Sequence, residues 1–255
     1  MRYIIITGAS RGLGRALAEE LALADSTLML VSRDKCELIK VAERVKDKGS
    51  KSFVYEFDLF NYKKINTLID EIVNSISIIN CTSLILINNA GTIDPIDKFG
   101  QLNDKEIEKN LAINCIAPIV LMNKLINSTK DMNIERRIIN ISSGVFNKSL
   151  FGWGLYSSSK SAVHSIVETI AKENYHNHSL KVVSIDPGVM DTNIQKVIRE
   201  TNKDQFDEVE LFITYYKENK LRNPKKVAEI IRDNYIDNWN ATSTFEKLSK
   251  YDKNE

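Results

Sequence analysis

The chain has 255 residues, 43% of them hydrophobic, which suits one large folded domain or two small ones and excludes a disordered polymer. Lys and Arg number 35 against 34 Asp and Glu, a net charge of +1, so no long-range field draws in nucleic acid or an anionic membrane. Cys36, Cys81 and Cys115 show neither C-x-x-C spacing nor histidine companions. This predicts reduced thiols, no disulfide framework, no metal and a cytoplasmic home.

From the N-terminus, the apolar run before Gly8 is too short for a secretory signal, and no stretch approaches the ~18 apolar residues of a membrane span. Strands are predicted at 3–7, 27–32, 52–57, 83–88, 136–141 and 181–185. Most have nearly continuous aliphatic cores, such as Leu84-Ile85-Leu86-Ile87, the mark of strands buried on both faces in a parallel sheet. Helical periodicity fills the gaps: Leu13, Leu17 and Leu21, then Leu38, Val41 and Val45, then Ile65, Leu68, Ile69, Ile72, Val73 and Ile76. Long helices are predicted at 104–130 and 157–174, and Pro224 opens a last one running to about 238. Alternating strand and helix predicts an α/β doubly wound parallel sheet, a Rossmann fold in a single domain. Residues 191–222 break the alternation after the sixth strand and are read as a small helical lobe covering a substrate. The polar tail, 239–255, shows neither a seventh strand nor firm anchoring. His164, His176 and His178 are expected at the surface or at helix ends, and His176-Asn177-His178 is only a weak metal pattern.

The first strand runs into Thr7-Gly8-Ala9-Ser10-Arg11-Gly12-Leu13-Gly14. Between a strand and a helix these glycines have distinct jobs: Gly8 for the turn, Gly12 for backbone approach to a pyrophosphate, Gly14 for close helix packing. The second strand ends in Ser32-Arg33 rather than an acid. With Arg11 and Ser10 in the glycine loop, two guanidinium groups and hydroxyls suit a ribose 2′-phosphate, hence NADP(H). Asp34 is assigned as the cap of the next helix. Further along, Ser142-Ser143 end the fifth strand, and Tyr156 and Lys160 lie one turn apart on one helix face. A phenol held near an ammonium can deliver a proton to a carbonyl oxygen that gains charge, and Ser143 can donate a hydrogen bond to it. Lys160, together with the charge of the oxidised nicotinamide, is expected to lower the phenol pKa. Phe151, Trp153 and Met190 are candidate walls of an apolar substrate pocket.

Thr-Gly-x-x-x-Gly-x-Gly, Asn88-Asn89-Ala90-Gly91, Ser143, Tyr156-x-x-x-Lys160 and Asp186-Pro187-Gly188-Val189-Met190-Asp191-Thr192 together resemble the short-chain dehydrogenase/reductase family. The resemblance implies a catalytic set of Asn114, Ser143, Tyr156 and Lys160, with Asn114 positioning a water that links Lys160 to solvent. It implies that Asp58, followed by Leu59, holds the adenine amino group. It places Asn89, Ala90 and Gly91 beside the cofactor, and the loop of Pro187, Gly188, Val189 and Thr192 against the nicotinamide carboxamide. Phe151-Gly152-Trp153-Gly154 and Pro187-Gly188-Val189-Met190-Asp191-Thr192-Asn193 narrow the resemblance to the bacterial benzil reductases that form (S)-benzoin, relatives of sepiapterin reductase. That implies NADPH-dependent reduction of one carbonyl of a small or aromatic 1,2-diketone by a homo-oligomer, for which a dimer through 104–130 and 157–174 is expected. Rival readings are a reductase of another ketone or aldehyde, a non-catalytic NADPH-binding regulator, and a longer epimerase or dehydratase. The intact Ser143, Tyr156 and Lys160 argue against the regulator, and the missing C-terminal substrate domain against the last.

Overall fold

The computed structural model describes residues 1–252, the side chain of Ile78 excepted. Residues 253–255 of the predicted tail lie outside the described residues. The strands are β1 (Arg2–Thr7), β2 (Ser26–Ser32), β3 (Lys51–Glu56), β4 (Ser83–Asn88), β5 (Glu135–Ile141), β6 (Leu180–Asp186) and β7 (Phe245–Lys247). All pair in parallel in the order β3-β2-β1-β4-β5-β6-β7. The order reverses between β1 and β4, and a crevice opens there beyond the strands' carboxyl ends.

Strand alternation sorts the aliphatic runs between two faces. Ile4, Ile6, Leu28, Leu30, Ile85, Ile87, Val183 and Ile185 pack under α1 (Gly12–Glu20), α2 (Lys35–Asp47) and α9 (Pro224–Ile231). Tyr3, Ile5, Met29, Val31, Leu84, Leu86 and Ile138 pack under α3 (Ile65–Asn74), α5 (Ala117–Ser128) and α6 (Gly154–Glu173). Burial on both sides is why these strands read as unbroken apolar runs. The predicted helix over 104–130 is α4 (Asp104–Leu111) running into α5 through a π-helical turn at Ala112–Ile116. By length and composition alone, Asp104–Ser128 could cross a membrane, contrary to the sequence reading. In this fold Ala117, Leu121, Met122 and Leu125 are buried in the core beneath α3.

Two expectations are corrected here. The tail is anchored: β7 adds to the sheet edge, Leu248 is fully buried, and Tyr251 and Trp239 pack on the same core. Glu246 in β7 is buried because its carboxylate accepts from the Thr242 and Ser243 amides and pairs with Lys250. Nor is His164 at the surface or a helix end. It is buried within α6, its ring 4.4 Å from that of Phe146 and 5.4 Å from that of Phe245.

Candidate active site

β1 delivers the chain into a loop whose shape only glycine tolerates. Gly8 and Gly12 have φ of +67° and +55°, in the left-handed region. A side chain on Gly14 would collide with the Gly8 carbonyl, so α1 can sit this close to the loop only without one. The loop is stitched to the turn after β4. Thr7 Oγ1 accepts the Asn89 and Ala90 amides at 3.0 and 3.1 Å, and Asn89 Nδ2 donates to the Thr7 carbonyl at 2.9 Å. No side chain caps the N-terminus of α1. Its first-turn amides stay available to an anion, with the helix dipole behind them.

A cleft of about 1630 Å³ runs over this loop toward the ends of β5 and β6. That volume exceeds the roughly 300–1,000 Å³ of ordinary ligand pockets and accommodates a dinucleotide with a small second molecule. Gly8, Ser10, Arg11, Gly12 and Leu13 line it, as do Ser32 and Arg33, Asp58 and Leu59, and Asn89, Ala90 and Gly91. Gly14 does not; it packs behind the loop. Ser10 and Ser32 hydroxyls meet at 2.9 Å, and both Arg11 and Arg33 are exposed at this end of the cleft. Asp34, which lines the cleft beside Arg33, accepts from the Glu37 amide at 3.1 Å and so caps α2. The Asp58 carboxylate takes the Phe60 amide at 3.0 Å. This donor set, cationic with a free helix N-terminus, fits a phosphorylated dinucleotide.

At the other end, Ser143, Tyr156 and Lys160 come together. Ser143 lies beside the Tyr156 phenol, near enough to hold its pKa down. Lys160 Nζ donates to the Ile141 carbonyl at 2.9 Å and lies 5.6 Å from the Tyr156 ring centre. The π-helical turn widens the helix at Asn114, a distortion that often marks functional sites. Asn114 is held by Thr92 in both directions: Nδ2 donates to the carbonyl at 2.7 Å and Oδ1 accepts the amide at 2.9 Å. A Cβ on Gly91 would lie 3.2 Å from Asn114 Oδ1 and 3.9 Å from Lys160 Nζ, so the absence of a side chain there lets the two approach. Ser142, the neighbour of Ser143, is buried with an unpaired hydroxyl.

Burial pushes Tyr156 up to about 12, the Asp186 carboxylate adds to the rise, and the nearby Ser143 hydroxyl opposes it. Burial also pushes Lys160 down to about 8. The largest cause is the same in both: each charged form loses water on burial.

The aromatic loop before Tyr156 splits. Phe151 is not in the cleft; it is 43% exposed, with Lys98 Nζ 5.3 Å above its ring. Trp153 lines the cleft yet is only 4% exposed, stacked on Phe206 at 4.5 Å and edge-on to Tyr156 at 5.6 Å. Gly152, with φ of +76°, turns the chain between them and leaves no room for a Cβ beside the Gln205 carbonyl. Phe206 and Gln205 belong to the segment predicted as a lobe, which carries α7 (Asn193–Glu200) and α8 (Val209–Lys217). Met190 lines the cleft and bridges to Arg222, which closes the segment. Pro187, Gly188, Val189 and Thr192 also line it. Asp186, to which the sequence motifs give no role, also faces the cleft. Its place at a strand's carboxyl end was the available signal.

The family model for short chain dehydrogenase matches residues 2–203. A benzil reductase ((S)-benzoin forming) of Bacillus cereus is 38% identical over 235 residues, covering 91% of this chain and 93% of that one. A sepiapterin reductase of Rattus norvegicus is 32% identical over 208 residues, 78% of each chain. Among solved structures, the KRED1-Pglu enzyme superposes with a TM-score of 0.78 at 25% identity, covering 91% of this chain and 94% of that one. The short chain dehydrogenase/reductase YIR035C from Saccharomyces cerevisiae shares the fold with a TM-score of 0.82 at 22% identity, covering 97% and 96%. On the match of its family model and its likeness to these relatives, the chain belongs to the short-chain dehydrogenase family of oxidoreductases.

Proposed function

We propose that this protein is an NADPH-dependent carbonyl reductase that reduces one carbonyl of a small or aromatic vicinal diketone. The observation that carries the reading is the convergence of Ser143, Tyr156 and Lys160 at one end of a cleft whose other end carries Arg11 and Arg33. The likeness to benzil reductases supports the substrate class. Arg11 and Arg33 would take the 2′-phosphate, Asp58 the adenine amino group, and the amides at the start of α1 the pyrophosphate. Val189 and Thr192 would hold the nicotinamide carboxamide. NADPH supplies the hydride. Ser143 donates to the carbonyl oxygen and holds it as negative charge develops. Tyr156 gives that oxygen its proton, and a phenol pKa of about 12 keeps the proton in place until then. Lys160, when charged, offsets the phenolate left behind, while Asn114 fixes the Thr92 loop beside it. Trp153 and Met190 supply apolar walls.

The test is absorbance-monitored NADPH oxidation with benzil, 1-phenyl-1,2-propanedione and a simple aliphatic ketone, repeated with NADH. Turnover of the diones with NADPH preferred is expected. Tight NADPH binding without turnover of any carbonyl would overturn the reading.

A further inference from the structure

Asp186 is the one carboxylate that β6 carries to the catalytic end of the cleft. Leu180 and Val182 pack into the core on the α6 side of the sheet, while Val183 and Ile185 pack on the other. Alternation therefore aims Asp186 toward α6, the helix that bears Tyr156 and Lys160. Its Oδ2 reaches over the residue after Ser143, 2.7 Å from where a Cβ on Gly144 would stand. Any side chain at 144 would fill the space the carboxylate occupies. Asp186 Oδ1 accepts the Gly188 amide at 3.0 Å. Oδ2 has no hydrogen-bond partner among the described residues, and no Lys or Arg there lies within ion-pair distance. The carboxylate is near enough to Tyr156 for its field to raise the phenol pKa.

A carboxylate with a free oxygen beside a proton-donating pair is a strong acceptor waiting for a donor, because hydrogen bonds to charged acceptors are about twice as strong as neutral ones. The remaining walls nearby, Val145, Leu150, Trp153 and Met190, offer apolar surface. We propose that Asp186 is a specificity-determining residue that accepts a hydrogen bond from a hydroxyl beside the reacting carbonyl, which makes α-hydroxy ketones a substrate class of this site. The proposal rests on the carbonyl-reductase reading and extends it. The product of a first diketone reduction is itself an α-hydroxy ketone. Turned so that its hydroxyl donates to Asp186, it presents the remaining carbonyl to Ser143 and Tyr156. The carbonyl carbon then accepts hydride from NADPH and the oxygen accepts the Tyr156 proton, giving a vicinal diol and NADP⁺.

The test compares 2-hydroxyacetophenone with its methyl ether, 2-methoxyacetophenone, in which a methyl group replaces the donor hydrogen. Equilibrium binding of each to the NADP⁺-loaded protein is measured beside steady-state NADPH oxidation, with the wild type, Asp186→Ala and Asp186→Asn. We expect the hydroxy ketone to bind and turn over about tenfold better than the ether in the wild type. The ratio should fall to about one in Asp186→Ala and lie between in Asp186→Asn, which keeps an acceptor but loses the charge. Equal handling of both ketones by the wild type, or a wild-type ratio retained in Asp186→Ala, would overturn the proposal. Hydroxyl-selective binding without turnover of any ketone or dione would instead sink the reductase reading and leave Asp186's role standing.

Discussion

The two ends of the cleft are built by different means. The glycine-loop end is a backbone device: Gly8, Gly12 and Gly14 shape it, and Thr7 and Asn89 tie it to the turn after β4. The end near Tyr156 is a side-chain device, assembled from Asn114, Ser143, Tyr156, Lys160 and Asp186 on four separate stretches of chain. A backbone device tolerates no added atoms but has no proton to lose. A side-chain device tolerates changes of shape but fails when one titrating atom is removed.

The largest effect should come from breaking the side-chain end. Tyr156→Phe keeps the ring that packs edge-on against Trp153 and removes only the acid. We expect kcat to fall by about 10²–10⁴ while NADPH affinity, followed by fluorescence titration, stays within about twofold. Loss of NADPH affinity together with kcat would place Tyr156 in cofactor binding instead.

Next comes the backbone end. Gly14→Ala places a methyl against the Gly8 carbonyl and Asn89, so the loop has to shift. NADPH affinity should fall more than about tenfold, with a lowered Tm. Gly100→Ala is the control: its positive φ, which Gly14 lacks, strains any side chain, but nothing lies near its Cβ position. It should cost about 1 kcal/mol of stability and leave affinity unchanged. Similar behaviour of the two variants in NADPH titration would show that close packing behind the loop is not what Gly14 provides.

Much of the backbone end was legible because glycine spacing is a local record of local geometry. The first six strands were legible for a similar reason, since burial on both faces writes a continuous aliphatic run. What escaped depended on distant partners. Phe151 and Trp153 look equivalent in sequence, yet the positive φ of Gly152 sends one to solvent and the other against Phe206. Phe245-Glu246-Lys247 reads as polar tail because Glu246 finds its amides and its lysine within its own loop, which lets a charged residue enter a sheet edge. His164 is buried by Phe146 and Phe245, both far from it in sequence. How little water surrounds Tyr156 and Lys160 is likewise set by distant packing, which their four-residue spacing does not record.

A smaller, more selective effect is expected at the rim of the backbone end. Arg33→Asp replaces a cation by an anion on the cleft lining just beyond the end of β2. A charge-assisted hydrogen bond of about 1.5–3 kcal/mol corresponds to roughly ten- to a hundredfold in affinity. NADPH binding should weaken by about that much and NADH binding hardly at all. Equal loss for both would remove the 2′-phosphate assignment and with it the stated cofactor preference.

The smallest effect distinguishes the two titrating groups of the side-chain end. Burial lowers Lys160 to about 8 and raises Tyr156 to about 12, so on raising pH the ammonium loses its proton first. A group with a depressed pKa of this kind is charged below about 8 and neutral above it. If its charge supports proton delivery, reduction should weaken as pH rises through about 8, by about fivefold over the next unit, while the phenol still carries its proton. Lys160→Arg keeps a cation that stays charged across this range, so its residual activity should show no limb near pH 8. A limb that persists unchanged in Lys160→Arg would assign the titration to another group. It would also mean that Lys160 serves the site through its bond to the Ile141 carbonyl rather than through its charge.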